Sequence, residues 1–532
     1  MTILRIGLLA ESTFADRHIR ELVHWARLQP AVEFTLLIVR PSGAGRRLGW
    51  RLLQAVAACE RRLLRCRGRE GGAARWDVSG GGRVLAIDAA AAEGGTAAAA
   101  LARAHLAALG LDLLIQCGPG PVGAGLAPLA RLGTLSIDGD TDELYRGGPH
   151  FFWECYHKRP KTGFAITLKA GDGQPARILR RGFFSTRYLF SLNEYYVRKK
   201  SLPHLKQLLL DIAAGGAPPP ALAMRPFSGQ WLGGPSLLQA LAYIGKIGAR
   251  LAEKGMWRAV CVRKKWEISF LRTSWRQAML CQHIRAPAPR GRYWADPFLI
   301  EHGGKTYCFV EDFVWRTARG HISVLEVEAD SARLLGPCLS EPFHLSFPFI
   351  FRYRGELYMC PESAAARQIR VYRCTEFPSL WEPAAVIMDQ VSAADTVLFE
   401  RDGRWWMLTS MDHSGSDDFC SELYAFWSDS PLSQQWQPHP CNPLLIDPEG
   451  GRNAGLIIEG KNIYRVAQKQ GYDEYGKGIL TYLITELSET RYAEQLVSDI
   501  GTAFAPGVLG VHHMSSNGGI TVFDHKSRAL VA

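Results

Sequence analysis

ADPFLIEHGGKTYCFV, residues 295–310, decides the fold. An apolar run leads into a glycine turn, a polar residue follows, and an aromatic-rich run closes the phrase. That is the pattern of a β-hairpin. The phrase returns four times: FPFIFRYRGELYMCPE (347–362), ADTVLFERDGRWWMLTS (394–410), NAGLIIEGKNIYRVAQ (453–468) and SSNGGITVFD (515–524). The turn glycines are Gly304, Gly355, Gly403, Gly460 and Gly519. Their spacing of roughly 50 residues is that of a propeller blade. One hairpin cannot bury its apolar face, but five arranged radially can. A small propeller brings a loop from every blade to a common axis. The residues that open the repeats, Asp296, Asp395, Asn453 and His512 among them, are therefore expected to meet.

The chain has 532 residues, enough for two to four domains. No apolar stretch is long enough to span a bilayer. The opening MTILRIGLLAEST lacks a basic n-region and a cleavage site, so it is expected to be a buried strand and not a signal peptide. Twelve cysteines are scattered singly, without a CxxC pair, which suits reduced thiols and a cytoplasmic location. The net charge is +11, with Arg46, Arg47, Arg51, Arg61, Arg62, Arg65, Arg67 and Arg69 crowded together. This basic segment, 46–69, carries Trp50, Leu52, Leu53, Val56, Leu63 and Leu64 at helical spacing. It can dock on an anionic membrane surface at the inner face, or pack its apolar side on its own domain. No nucleic-acid-binding motif accompanies the charge, so no nucleic acid is expected as a partner.

Residues 1–190 read as an α/β, Rossmann-like domain. The strand candidates LRIGLLA, FTLLIVR, RVLAIDA and LDLLIQCG alternate with helical stretches near 16–28, 49–66 and 95–109. The turn GPGPVGAG is not a dinucleotide fingerprint, since no helix with an acidic residue follows at the right distance. Residues 191–255 read as a helical, Gly/Pro-rich linker. Residues 256–532 read as an all-β five-bladed propeller, in which WRAVCVRKK and WEISFLRT are expected as outer strands of a blade that closes the ring with the C-terminal segment.

The stretches LSIDGDTDELYRGGPHFFW (135–153) and KTGFAITLKAGDGQPARIL (161–179) resemble the formyltransferase family. Tyr145, Arg146, Gly147, Trp153, Thr162, Gly163 and Ile166 match its pattern. The family's catalytic Asn, His and Asp fall on Ser136, Asp138 and Gln174. Ser136 presents no amide donor, Asp138 would repel an oxyanion, and Gln174 holds no charge. The resemblance therefore implies a degenerate scaffold, with folate binding not expected.

The C-terminal half resembles the five-bladed propeller glycoside hydrolases of the arabinanase and xylosidase type. It is closer to the propeller domain at the N-terminus of plant glucosamine inositolphosphorylceramide transferase. The phrases WADPFLIEHGGKTYCFVED, ADTVLFERDGRWWMLTS, HPCNPLLIDPEGGRNAG and GVHHMS carry the likeness. It implies Asp296 as catalytic base and Asp395 as the carboxylate that tunes the acid. Glu362 and Glu311 end the second and first repeats, where each can serve as an acid or a sugar ligand. The hydrolases carry their acid near Arg452 and Asn453. An arginine there suits a phosphate, and a phosphate leaving group needs neutralisation and not protonation. Gln468 and Tyr475 can hydrogen-bond a sugar, and Trp294, Trp405 and Trp406 can stack on one. Of His512 and His513, adjacent on a strand, at most one faces the axis, and His513 is expected among the substrate-binding residues. No ligand set marks a metal site.

The expected function is transfer of a phosphate-activated sugar, with a nucleotide sugar as donor, in glycolipid or surface-glycan synthesis. Glycoside hydrolysis or phosphorolysis, glycan binding without catalysis, and sugar N-formylation are the alternatives.

Overall fold

The computed structural model describes residues 3–10, 12–40, 48–66, 76–79, 83–88, 104, 106–117, 130–140, 145–146, 148–170, 175–223, 229–259 and 262–530. The chain divides into two compact units, Met1–Gly248 and Ala249–Ala532.

The first unit is built on a seven-stranded mixed sheet. Its order is Arg177–Ser185, Lys161–Lys169, Gly133–Asp140, Leu113–Gln116, Leu4–Ala10, Val32–Arg40 and Arg83–Asp88. The last five are parallel and the first two antiparallel. Leu4–Ala10 is buried at every position but one, as a parallel strand covered on both faces requires. Helices α1 (Arg17–Arg27), α2 (Leu48–Cys66) and α3 (Phe190–Gly215) accompany the sheet. The sequence placed α3 in a linker. It packs instead on Lys161–Lys169 and Arg177–Ser185, with Leu202, Leu205, Leu208, Leu209 and Ile212 buried. The basic helix α2 turns Leu53 and Ala57 into a core with Phe152, Trp153, Phe190 and Tyr243. Its buried Glu60 accepts hydrogen bonds from Tyr243 Oη at 2.7 Å and Ser191 N at 2.9 Å. Its apolar side is thus consumed within the unit. Gln174 and the turn 118–125 lie outside the described residues, as does most of the stretch 95–109.

The second unit begins within helix α4 (Leu237–Ala259) and continues as five antiparallel sheets. Blade 1 runs from Arg292 to Leu339, blade 2 from Ser346 to Asp389, blade 3 from Ala393 to Ile446 and blade 4 from Glu449 to Ile500. Blade 5 joins Gly510–Asn517 and Ile520–Leu530 to Val262–Leu271 and Ile284–Ala286. WRAVCVRKK and WEISFLRT do not form two strands: Trp257 lies in α4 and one continuous strand follows. The innermost strands touch in cyclic order, so the ring is closed. It is a five-bladed β-propeller. All five turn glycines have positive φ, between 59° and 82°, as two-residue hairpin turns demand.

Candidate active site

Each inner strand bulges at the same depth. The register slips at Asp296-Pro297, Phe347-Pro348, Asp395-Thr396, Ala454 and His512-His513. A bulge re-aims side chains that strict alternation would send elsewhere. Asp296, Phe347 and Asp395 sit in the left-handed region, with φ of 50°, 45° and 50°. Such backbone costs on the order of 1–3 kcal/mol per residue and persists only where its surroundings enforce it. Neighbouring blades supply the enforcement. Asp524 of blade 5 accepts from the backbone N–H of Asp296 at 3.0 Å, and from those of His512 and His513 at 3.1 and 3.0 Å. Asp296 in turn accepts from Phe347 N at 3.3 Å.

Two clusters result. In the first, His512 lies between two carboxylates, with Nδ1 2.8 Å from Asp524 and Nε2 3.3 Å from Asp296. The Trp266 ring stacks on its face at 3.8 Å. Burial pulls the His512 imidazolium down, but Asp524 and Asp296 outweigh it, so its pKa is raised. Burial drives Asp296 up to about 7, with Asp395 and Asp524 adding to the rise against His512 and Arg452. These three side chains bring one nitrogen and two oxygens within 4.8 Å, as a cation site would. Both His512 nitrogens already engage carboxylates, and Asp524 serves three amides. The three side chains form a His512–Asp524 hydrogen bond with Asp296 as an ion-pair neighbour.

In the second cluster, Arg452 donates from Nε to Asp395 at 2.5 Å and from Nη2 to Asp395 and Glu362 at 3.2 Å each. Gln468 Nε2 adds a bond to Asp395 at 3.1 Å, and Tyr475 lies 5.3 Å from the guanidinium. The expected phosphate clamp is therefore an internal ion pair. Two carboxyls against one guanidinium leave no net positive charge for an added phosphate. Burial, with Asp395 next, pushes Glu362 well above the ordinary carboxylate range. Burial, with Asp296 next, does the same to Glu311, whose carboxylate lies 3.6 Å from His344 Nε2.

Several expected residues do other work. Asn453 is fully buried and donates both amide hydrogens to the carbonyls of Asp395 and Leu408, tying blade 4 to blade 3. Trp294 is buried against Ile268, Leu299 and Val522, and Trp405 and Trp406 lie in a core cluster with Phe351, Val397 and Leu408, so none offers a free face to a sugar. His513 packs on Phe298 and Phe347, and burial lowers its pKa to about 3. His512, and not His513, reaches the acid cluster. Asp524 and Trp266 were missed, although Asp524 ends the fifth repeat. In the first unit Ser136 and Thr167 hydroxyls both donate to Asp138 at 2.7 Å, a closed polar knot.

Residues 275–503 match a family model described as glucosamine inositolphosphorylceramide transferase 1, N-terminal. That region is similar to a family of glycolipid glycosyltransferases. The protein of that name from Oryza sativa subsp. japonica is 35% identical over 206 residues, and the one from Arabidopsis thaliana 36% over 209. Each match covers 38% of this chain and 27% of the relative, so the chain spans about a quarter of their length. Among solved structures, Zg3597, a family 117 glycoside hydrolase of Zobellia galactanivorans, aligns at 12% identity and a TM-score of 0.33, covering 50% of this chain and 91% of its own. The catalytic domain of Coprinopsis cinerea GH62 α-L-arabinofuranosidase aligns at 11% and 0.34, covering 44% and 90%. Those two scores carry no inference about chemistry. The propeller rests on its own strand pairing.

Proposed function

We propose that the propeller is the acceptor-side site of a sugar transferase in glycolipid synthesis. Asp296 takes the proton from an acceptor hydroxyl as that oxygen bonds to the anomeric carbon and the bond to the donor phosphate breaks. The observation that carries this is Asp296 itself. It is buried, its carboxylate is aimed by His512 and the Phe347 amide, its own backbone N–H is held by Asp524, and it has a proton affinity near neutrality, as a general base requires. Glu362 and Glu311, whose proton affinities burial raises, are hydroxyl ligands for the glycan headgroup. The name of the plant relatives supports a ceramide-linked, inositol-phosphate acceptor. The donor phosphate is not assigned to Arg452. The test is transfer of labelled sugar from a nucleotide sugar to an inositol-phosphate lipid. Asp296→Asn should lower kcat by about 10²–10⁴ with acceptor affinity retained. Undiminished turnover in that variant would remove the assignment.

A second reading, glycoside hydrolysis, is favoured by one observation. Carboxyls of raised proton affinity stand beside an ionisable Asp296, so a candidate acid and a candidate base share the site. Release of free sugar from aryl glycosides without nucleotide selects it. For the first unit we infer a formyltransferase-type scaffold without that family's catalytic set. The Ser136–Asp138–Thr167 knot supports this. Formylation of an amino sugar from 10-formyltetrahydrofolate would overturn it.

A further inference from the structure

Blade 1 carries a wall of aromatic rings that neither cluster uses. Across its strands Arg292–His302 and Lys305–Val314, Tyr293 pairs with Phe313 and Ala295 with Glu311. Alternation therefore puts Tyr293, Phe313 and Glu311 on one face, with Trp294 and Asp312 on the other. The Tyr293 and Phe313 rings stack at 4.7 Å and 13°. Trp315, in the turn that follows, meets both edge-to-face, at 5.4 and 5.7 Å. Its backbone N–H is pinned to the Gly291 carbonyl at 3.0 Å. All three rings are only half-buried, unlike Trp294, Trp405 and Trp406. Burial, with Glu311 and Asp296 next, raises the pKa of the Tyr293 phenol, so the wall stands beside the carboxyls. Asp296 lies three positions further along the same strand, roughly 10 Å away.

We propose that this rim binds the phosphate-bearing ring of the acceptor headgroup, with the ring on the aromatic wall and the phosphate on three arginines. Arg263, Arg290 and Arg316 are exposed, and none lies within 4 Å of a carboxylate among the described residues. Arg290 adjoins Gly291 and Arg316 adjoins Trp315, so the bond between Gly291 and Trp315 brings their backbones together. Arg263 reaches the same spot from blade 5, its guanidinium 5.5 Å from the centre of the Trp315 ring. A guanidinium laid on a ring is fixed in orientation, and its N–H edge stays open to two phosphate oxygens. Asp312 does not neutralise the patch, because Arg292 and the Ser323 hydroxyl already hold it. The contrast with Arg452 decides where a phosphate can sit: that cation faces two carboxyls, whereas these three face none. An aromatic face suits the C–H side of a sugar or cyclitol ring. The wall shares a strand with Asp296, so a ring seated on it is the one whose hydroxyl the base meets. The phosphate is then the acceptor's and not the donor's. The inference rests on the acceptor reading above and supplies the residues that recognise that headgroup.

The test is calorimetric titration of the full chain with myo-inositol 1-phosphate, myo-inositol and uridine diphosphate. The wild type should prefer myo-inositol 1-phosphate over myo-inositol by at least about tenfold, as hydrogen bonds to a charged group give. Arg263→Gln with Arg316→Gln, both at exposed positions, should erase that preference. Trp315→Ala should weaken the phosphorylated and the bare ring alike, by about 2–10-fold. Arg354 is also exposed and lies 5.1 Å from the Tyr353 ring, but it sits in the hairpin turn of blade 2, so Arg354→Gln should change nothing. A wild type without the preference, a double variant that keeps it, or an equal loss in Arg354→Gln would each overturn the proposal. Loss of uridine diphosphate binding alone in the double variant would hand the patch to the donor and overturn it too. Sugar transfer separates the two claims. Inositol-phosphate binding without any transfer sinks Asp296 as the base and leaves the patch standing. Transfer with an acceptor KM that the double variant does not move sinks the patch alone.

Discussion

Arg452→Met strips the second cluster of its cation and leaves Asp395 and Glu362 facing each other. Their side chains are 2 and 13% exposed, so water compensates little. Removing one partner of a buried ion pair costs about 3–5 kcal/mol, because the remaining charge stays buried. In a unit the size of Ala249–Ala532 each kcal/mol moves Tm by about 2 °C, so the propeller transition should fall by about 6–10 °C near pH 8. The sign of the pH dependence follows from Glu362. Its folded pKa is already raised, and loss of Arg452 raises it further. A proton taken up by the folded variant then relieves the repulsion, so the deficit should shrink toward pH 5. Adding Glu362→Gln should recover part of the loss near pH 8 by removing one of the two charges. Scanning calorimetry at both pH values reads all of this. A shift below about 2 °C near pH 8, or equal shifts at both pH values, would refute the claim that Arg452 is an internal counter-ion.

Asp296 carries the opposite expectation for stability. Its folded pKa of about 7 against the ordinary carboxylate value of 3.8 means that the folded state holds a proton the unfolded chain releases. Stability should therefore decline as pH rises through that window, by at most on the order of 4 kcal/mol. Asp296→Asn should abolish this slope and melt above the wild type near pH 8 while losing activity; a variant less stable than wild type there contradicts it. Gly476, at φ 63°, would place a Cβ 2.8 Å from both His512 and Trp266. Gly476→Ala should cost about 1–3 kcal/mol and disturb the tryptophan near-UV signal, and an unchanged spectrum would show that the stack is not confined.

The hairpins were legible because their signal is local. Alternation, a two-residue turn and a left-handed glycine all lie within about sixteen residues of one another. The five-fold period and the closing strand followed from repetition. The site was only half legible, because a bulge is set by a partner strand and leaves no mark in periodicity. Strict alternation allows one of His512 and His513 to face the axis but cannot choose between them when the strand carries an extra residue at that step. Phe347 opens the second repeat where an acid was plausible, and it fills the axis with a ring packed on Phe298 and His513. Asn453 and Arg452 have the chemistry of ligands, yet carbonyls and carboxylates from other blades claim them first.

Blade 5 is assembled from strands some 250 residues apart in sequence, Val262–Leu271 and Ile520–Leu530. Asp524 and His512 come from the late part, whereas Trp266 and Asp296 come from the early part. A ribosome has therefore made nearly all of the ring before the groups that aim the base can reach it. With Asp296 as the proposed base, the nascent propeller should stay inert until its last blade is threaded, and any cut that frees that blade should extinguish turnover before it loosens the other four.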